Sequence, residues 1–231
     1  MRGDGGLGTV LVTGGSSGLG AAVVAAVRDE GGTPVVLDLR EPASGTAFER
    51  VDLSRPREAE AAVGRVADSH GGLDAVVTAA GIDACGDLGD VEPEAWDRVV
   101  AVNLLGTAAV VRAALPHLER SRGRVVTVAS TLGVRALPAA TAYCASKFGV
   151  VGFTRALAAE TGDRVGVTLL IPGGMQTPFF DDRPEQFKPA ADQHLNRPED
   201  VARTVLFALR QPPGCELREL LVAPATEPSW P

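Results

Sequence analysis

The sequence predicts one doubly wound α/β domain over residues 1–231, and three observations carry that prediction. Short apolar runs alternate with longer, Ala-rich amphipathic stretches along nearly the whole chain. The short runs are continuously apolar rather than alternating, as strands covered on both faces must be. No internal repeat and no Ser/Gly linker divides the chain. Strands separated by helical crossovers pair in parallel through right-handed connections. The expected result is a mainly parallel sheet of about seven strands with helices on both faces.

The elements follow in order. Thr9–Thr13 (TVLVT) reads as a buried strand and Gly18–Glu30 as the helix after it. Pro34–Leu37 is the second strand, and a polar loop leads to Phe48–Val51. Pro56–His70 has helical spacing with its charges on one face. Ala75–Ala79 (AVVTA) is the next strand, and Pro93–Val102 with Leu104–Glu119 forms a long helical region. Arg124–Ala129 is a strand, Ala139–Thr161 a long helix and Val165–Ile171 a strand. Pro198–Leu209 is the last helix and Glu219–Val222 the last short strand. The tail Ala223–Pro231, with three prolines, reads as irregular. So does the stretch from Pro172 to Pro198, rich in Pro, Asp and Gln. A loop this long in a compact domain is usually a lid or a binding loop. Because it follows a strand, residues 173–197 read as a substrate lid at the ligand edge of the sheet.

Composition narrows the function. Hydrophobic residues make up 45% and charged residues 22%, the balance of a globular protein. No uninterrupted apolar run approaches the ~18 residues that cross a bilayer, so no membrane span is expected. Met1–Gly8 lacks an apolar stretch, which argues against a secretory signal. A net charge of −7 argues against a nucleic-acid partner. Cys85, Cys144 and Cys215 form no CxxC pair, and His70, His117 and His194 share no ligand spacing, so no metal is expected. That cysteine usage fits a reducing, cytoplasmic setting.

Thr13-Gly14-Gly15-Ser16-Ser17-Gly18-Leu19-Gly20 lies between the first strand and the first helix. Glycines there allow a tight turn and a close approach of backbone to a pyrophosphate. The helix start supplies free N–H groups and the positive end of its dipole. The spacing is TGxxxGxG rather than GxGxxG, and a turn without a ligand is the plainer alternative. Asp38 ends the second strand, where a carboxylate can accept both hydroxyls of an adenosine ribose and repel a 2′-phosphate. Loop and carboxylate together predict NAD. Arg40 keeps NADP as the alternative.

Tyr143 opens the long helix, and Lys147 lies one turn on, on the same face. A free phenol titrates near pH ~10. A cation beside it is expected to lower that value and let Tyr143 exchange a proton with a carbonyl or alcohol oxygen. Tyr143 is the only tyrosine in the chain. Ser130 ends the preceding strand, so its hydroxyl can reach the same edge.

In this order and spacing, TGxxxGxG, Asp38, Asn103, Ser130 and Tyr143-x-x-x-Lys147 resemble the short-chain dehydrogenase/reductase family in its compact, Rossmann-like single-domain branch. The resemblance runs from about Thr9 to Val222. It implies a NAD(P)-dependent oxidoreductase moving a hydride between a nicotinamide and a secondary alcohol or ketone. Asn103 would hold a water in a proton relay, Ser130 would orient the substrate oxygen, and Tyr143 would be the acid/base. Lys147 would bind the nicotinamide ribose and tune Tyr143. Asp52 would contact the adenine, and Pro172-Gly173-Gly174-Met175-Gln176-Thr177 is similar to the family's PGxVxT, which holds the nicotinamide carboxamide.

The implied cofactor contacts are Gly14, Ser16, Ser17, Gly18, Leu19, Gly20, Asp38, Leu39, Asp52, Leu53, Ala80, Gly81, Tyr143, Lys147, Pro172, Gly173, Met175 and Thr177. The expected substrate pocket is Leu132, Gly133, Val134, Leu137, Met175 and Phe179, mostly apolar, which points to a hydrophobic substrate. One departure stands out: Thr78-Ala79-Ala80-Gly81 replaces the family's Asn-Asn-Ala-Gly, and Ala79 lacks the side-chain bonds of that Asn. Resemblance also implies a homotetramer or dimer packed through Leu104–Glu119 and Ala139–Thr161. An NADPH-preferring 3-oxoacyl-type reductase and a non-catalytic dinucleotide sensor are the alternative functions.

Overall fold

The computed structural model describes residues 6–43, 45–212 and 214–230. Seven strands form one sheet: β1 (Thr9–Thr13), β2 (Thr33–Asp38), β3 (Ala47–Arg50), β4 (Ala75–Thr78), β5 (Arg124–Val128), β6 (Gly166–Pro172) and β7 (Glu219–Val222). Their order is β3-β2-β1-β4-β5-β6-β7, and every neighbouring pair is parallel. The chain winds outward from β1 in one direction, then from β4 in the other. The crevice of a doubly wound sheet therefore opens at the carboxyl ends of β1 and β4.

Position in the sheet explains the sequence pattern. Every residue of β4, β5 and β6 is buried, because helices cover both faces. The edge strands β3 and β7 have no fully buried residue. One core layer joins Leu11, Val35, Leu37 and Val76 to α2 (Pro56–Ser69) and α4 (Thr107–Ser121). The opposite layer joins Val10, Val12, Val36 and Val77 to α1 (Gly18–Asp29) and α6 (Pro198–Leu209). Alternate residues of one strand thus feed opposite layers. Proline occupies the first helical position of α2, α6 and α3 (Pro93–Val100), where its missing N–H costs nothing.

The segment Pro93–Ser121 is one continuous helical run. A π-helical stretch, Ala101–Gly106, joins α3 to α4. Length and composition alone would let this run cross a bilayer, which amends the sequence expectation that no stretch is long enough. Half of its apolar window is buried inside the protein, and it packs on α2 and α5 (Thr141–Thr161) as an inner helix. Residues 173–197 contain only two single 3-10 turns, Pro178–Phe180 and Glu185–Phe187. The base of this loop is nonetheless fixed. Gln176 N–H donates to the Asn196 carbonyl at 2.9 Å, and Asn196 N–H to the Gly174 carbonyl at 3.0 Å.

Candidate active site

One cleft of about 940 Å³ follows the carboxyl edge of the sheet. It runs from Asp38, Leu39 and Arg40, past Gly14, Ser17, Gly18, Leu19 and Gly20, to Ser130, Tyr143 and Lys147. Gly14 has φ +69°, and a Cβ there would lie 2.7 Å from the Ala80 Cα, so only glycine fits. A Cβ at Gly20 would collide with the Gly14 carbonyl. The loop therefore lies flat against the start of α1. Ser17 stands at the N-cap position of α1 but its side chain makes no capping hydrogen bond, leaving the first-turn N–H groups open toward the cleft.

Asp38 accepts the Ser16 N–H at 3.0 Å through Oδ2 and the Arg40 N–H at 3.1 Å through Oδ1. The Ser16 hydroxyl donates to the Arg40 carbonyl. Ser16, expected to touch the cofactor, is not among the lining residues and instead ties the glycine loop to the end of β2. Asp52, Leu53, Ala80 and Gly81 do line the cleft. Burial would raise the Asp52 carboxyl, but bonds from the Ser54 N–H and hydroxyl, with Arg98 at 3.4 Å, outweigh it and hold it low. A cradle that any Cβ would fill, an uncapped helix start and a carboxylate at the end of β2 fit a dinucleotide.

At the inner end, Lys147 is 4% exposed and its Nζ donates to the Val128 carbonyl at 2.9 Å. The same Nζ lies 5.6 Å from the centre of the Tyr143 ring. Burial lowers Lys147 to about 8, partly opposed by Asp83. For Tyr143 the direction differs from the sequence expectation. Burial pushes the phenol up, and Asp83 adds to the rise. The Ser130 hydroxyl and Arg183 pull it down. Desolvation of a buried phenol outweighs the tuning expected of the neighbouring lysine.

Asn103 stands behind the cleft rather than in it, 1% exposed within the π-helical stretch. Its Oδ1 accepts the Ile82 N–H at 2.9 Å. Its Nδ2 donates to the Ile82 carbonyl at 2.9 Å and to Ser146 Oγ at 3.0 Å. Asn103, expected to hold a relay water, has its side chain bonded to the loop after β4, beside Gly81 and Lys147. The substituted Thr78-Ala79-Ala80-Gly81 segment is tied to β1 through Thr13, whose hydroxyl accepts the Ala80 N–H at 3.2 Å. Thr78 Oγ1 is buried with no hydrogen-bond partner among the described residues.

Leu132, Leu137, Met175 and Phe179 line the cleft, as do Pro172, Gly173 and Thr177. Gly133 and Val134 do not: a Cβ at Gly133 would press on the Lys147 carbonyl, and Val134 packs against Ala129, Val150 and Ile171. Polar side chains join the apolar ones in the cleft. Asp83, Arg183, Lys188, Gln193, Glu227 and Ser229 line it too. Arg183 Nη2 pairs with Asp83 at 2.6 Å, with both side chains largely buried. Its guanidinium sits 4.9 Å and 4.6 Å from the ring centres of Phe179 and Phe180. Phe179 lies 5.6 Å from the Tyr143 ring. No motif marked these polar residues, because each comes from an irregular loop or the tail.

An α/β sheet with its cleft at the strand reversal, a glycine cradle and a buried Ser-Tyr-Lys group defines a dinucleotide-dependent oxidoreductase. The family model described as short chain dehydrogenase matches residues 8–188, and the chain belongs to that family. L-fucose dehydrogenase of Mus musculus is 33% identical over 94% of this chain and 88% of its own length. D-beta-hydroxybutyrate dehydrogenase of Cupriavidus necator is 32% identical, covering 89% of this chain and 84% of its own. The ligand-free structure of an aldohexose dehydrogenase from Thermoplasma acidophilum matches with a TM-score of 0.83 and 24% identity, over 93% of this chain and 92% of that one, and speaks to the fold. The protein is therefore an oxidoreductase of CH–OH and C=O groups, acting on a small molecule with a nicotinamide cofactor.

Proposed function

We propose that the protein is an NAD-dependent dehydrogenase of a small secondary alcohol or the corresponding ketone. The observation that carries this reading is the convergence of Ser130, Tyr143 and Lys147 on the inner end of the glycine-lined cleft. The cofactor, when bound, supplies or takes the hydride. Its pyrophosphate belongs at the start of α1, its adenosine ribose at Asp38 and its carboxamide at the Pro172–Thr177 loop. Asp38 supports NAD over NADP, since a 2′-phosphate there would meet a carboxylate. Ser130 donates a hydrogen bond to the substrate oxygen. Tyr143 gives that oxygen a proton in reduction and takes one in oxidation. Lys147 sets the field beside the phenol and holds the ribose, while Asn103 steadies the loop beside it.

The high proton affinity of Tyr143 suits the donor role, so oxidation should gain rate as pH rises and reduction should not. Asp83 and Arg183 at the lid end favour a substrate that carries polar groups beyond its reacting oxygen. Residues 173–197 act as the lid over it. A homo-oligomer and a cytoplasmic setting complete the reading, the former supported by exposed Leu105 and Phe148 on the helical face named from the sequence.

The test is Tyr143→Phe. Turnover across a panel of hydroxy acids, sugars and secondary alcohols is expected to fall by at least ~10³-fold while reduced-cofactor binding stays within a few-fold. Undiminished turnover in this variant would refute the acid/base assignment. The same assay with both cofactors should give the higher kcat/KM with NAD.

A further inference from the structure

The C-terminal tail, irregular in the sequence, folds back onto the cleft. Glu227, five residues past the end of β7, is 8% exposed and lines the cleft with Pro228 and Ser229. Its Oε2 accepts the Gly174 N–H at 2.8 Å. Its Oε1 accepts the Ser229 N–H at 3.3 Å and the Ser229 hydroxyl at 2.6 Å. That hydroxyl also lies 2.7 Å from Thr131 Oγ1, next to Ser130. Among the described residues, no cation pairs with the Glu227 carboxylate, so these donors alone offset its desolvation.

Sterics agree with the hydrogen bonds. A Cβ at Gly173 would run into Oε2 of Glu227. The tail carboxylate therefore fills the space that a side chain at position 173 would need, and it holds the neighbouring amide. From the other side, Asn196 holds the Gly174 carbonyl and the Gln176 N–H. The Pro172–Thr177 loop is thus clamped between the lid base and the tail. Through Ser229 and Thr131, the clamp reaches the end of β5 that carries Ser130.

We propose that Glu227 is a positioning residue for the nicotinamide half of the cofactor, acting through the Gly173–Gly174 turn. This rests on the reading that the turn meets the nicotinamide. A neutral amide at 227 retains one acceptor oxygen but turns an NH2 group toward one set of donors, so the clamp loosens without a change of volume.

The test is direct binding by calorimetry on the full chain. Wild type and Glu227→Gln are titrated with the tighter of NADH and NADPH, and with the matching ADP-ribose fragment, which lacks the nicotinamide. The variant is expected to weaken the intact cofactor roughly tenfold, the loss of a charge-assisted hydrogen bond, and to leave the fragment within twofold. Equal weakening of both ligands, or no weakening of either, overturns the proposal. A wild type that binds neither ligand would instead strike at the dinucleotide reading itself. If Glu227→Gln does not fold, Ser229→Ala serves the same comparison, since it removes one donor to Oε1 and the link to Thr131.

Discussion

Lys147 shows how much one side chain costs this fold. The chain has two lysines, Lys147 and Lys188, and uses arginine almost everywhere else for its cations. A buried arginine would keep its charge at any accessible pH, whereas a lysine can give up its proton. Here burial lowers Lys147 to about 8. The unfolded chain, with the ordinary lysine value of 10.5, holds that proton more tightly than the folded one. The penalty on folding is complete below pH ~8 and is relieved as pH rises toward the unfolded value. Lys147→Met removes this dependence and leaves the other titrating groups in place. Between pH 7 and pH 10.5 the wild type should therefore gain about 3 kcal/mol relative to Lys147→Met. Urea melts of both proteins at several pH values measure this. Parallel curves would show that Lys147 is solvated in the folded state. The spacing of Tyr143 and Lys147 was readable in the sequence, but the sign of the Tyr143 shift was not. Spacing along a helix gives proximity, whereas desolvation depends on every element packed around it.

The strands were readable for the same reason that the lid was not. β4, β5 and β6 are continuous apolar runs because both faces are covered, and that pattern is local. The π-helical stretch at Asn103 left no such pattern, and its Asn103 side chain is held by Ile82 and Ser146, 21 and 43 positions away along the chain. Asp83 and Arg183 stand 100 positions apart, and only the fold brings them together. Their pair fastens the lid to the loop after β4, next to Tyr143. Asp83 raises both Tyr143 and Lys147, while Arg183 lowers Tyr143. Asp83→Asn removes the raising charge and bares the lowering one, so the rising limb of kcat/KM for oxidation should move to lower pH. Arg183→Gln bares Asp83 and should move it to higher pH. A pH–rate profile of each variant decides the point. Shifts of the same sign in both would mean that the pair holds the lid without setting the acidity of Tyr143.

For the molecule as a whole, exposed apolar area is the feature the monomer does not explain. Leu105 on the π-helical stretch is 49% exposed and Phe148 on α5 is 46% exposed. The two elements are in direct contact, for Gly149 packs on Leu104. Across the sheet, Phe207 on α6 and Leu221 on the edge strand β7 are also exposed, at 57% and 36%. Scattered single apolar residues are normal on a surface, but pairs on adjoining elements suit an isologous contact. The helical pair lies on the same two elements whose inner faces carry Asn103, Tyr143 and Lys147, so packing there would also stiffen the catalytic side of the cleft. If the chain pairs there about a two-fold axis, Leu105→Glu with Phe148→Glu would place like charges opposite each other and split the pair. Sedimentation velocity should show the wild type as a dimer or tetramer and the double variant one step smaller. A wild type that sediments as a monomer at every concentration would mean that these side chains pack on nothing, and the oligomer reading would fall while the active-site assignment stood.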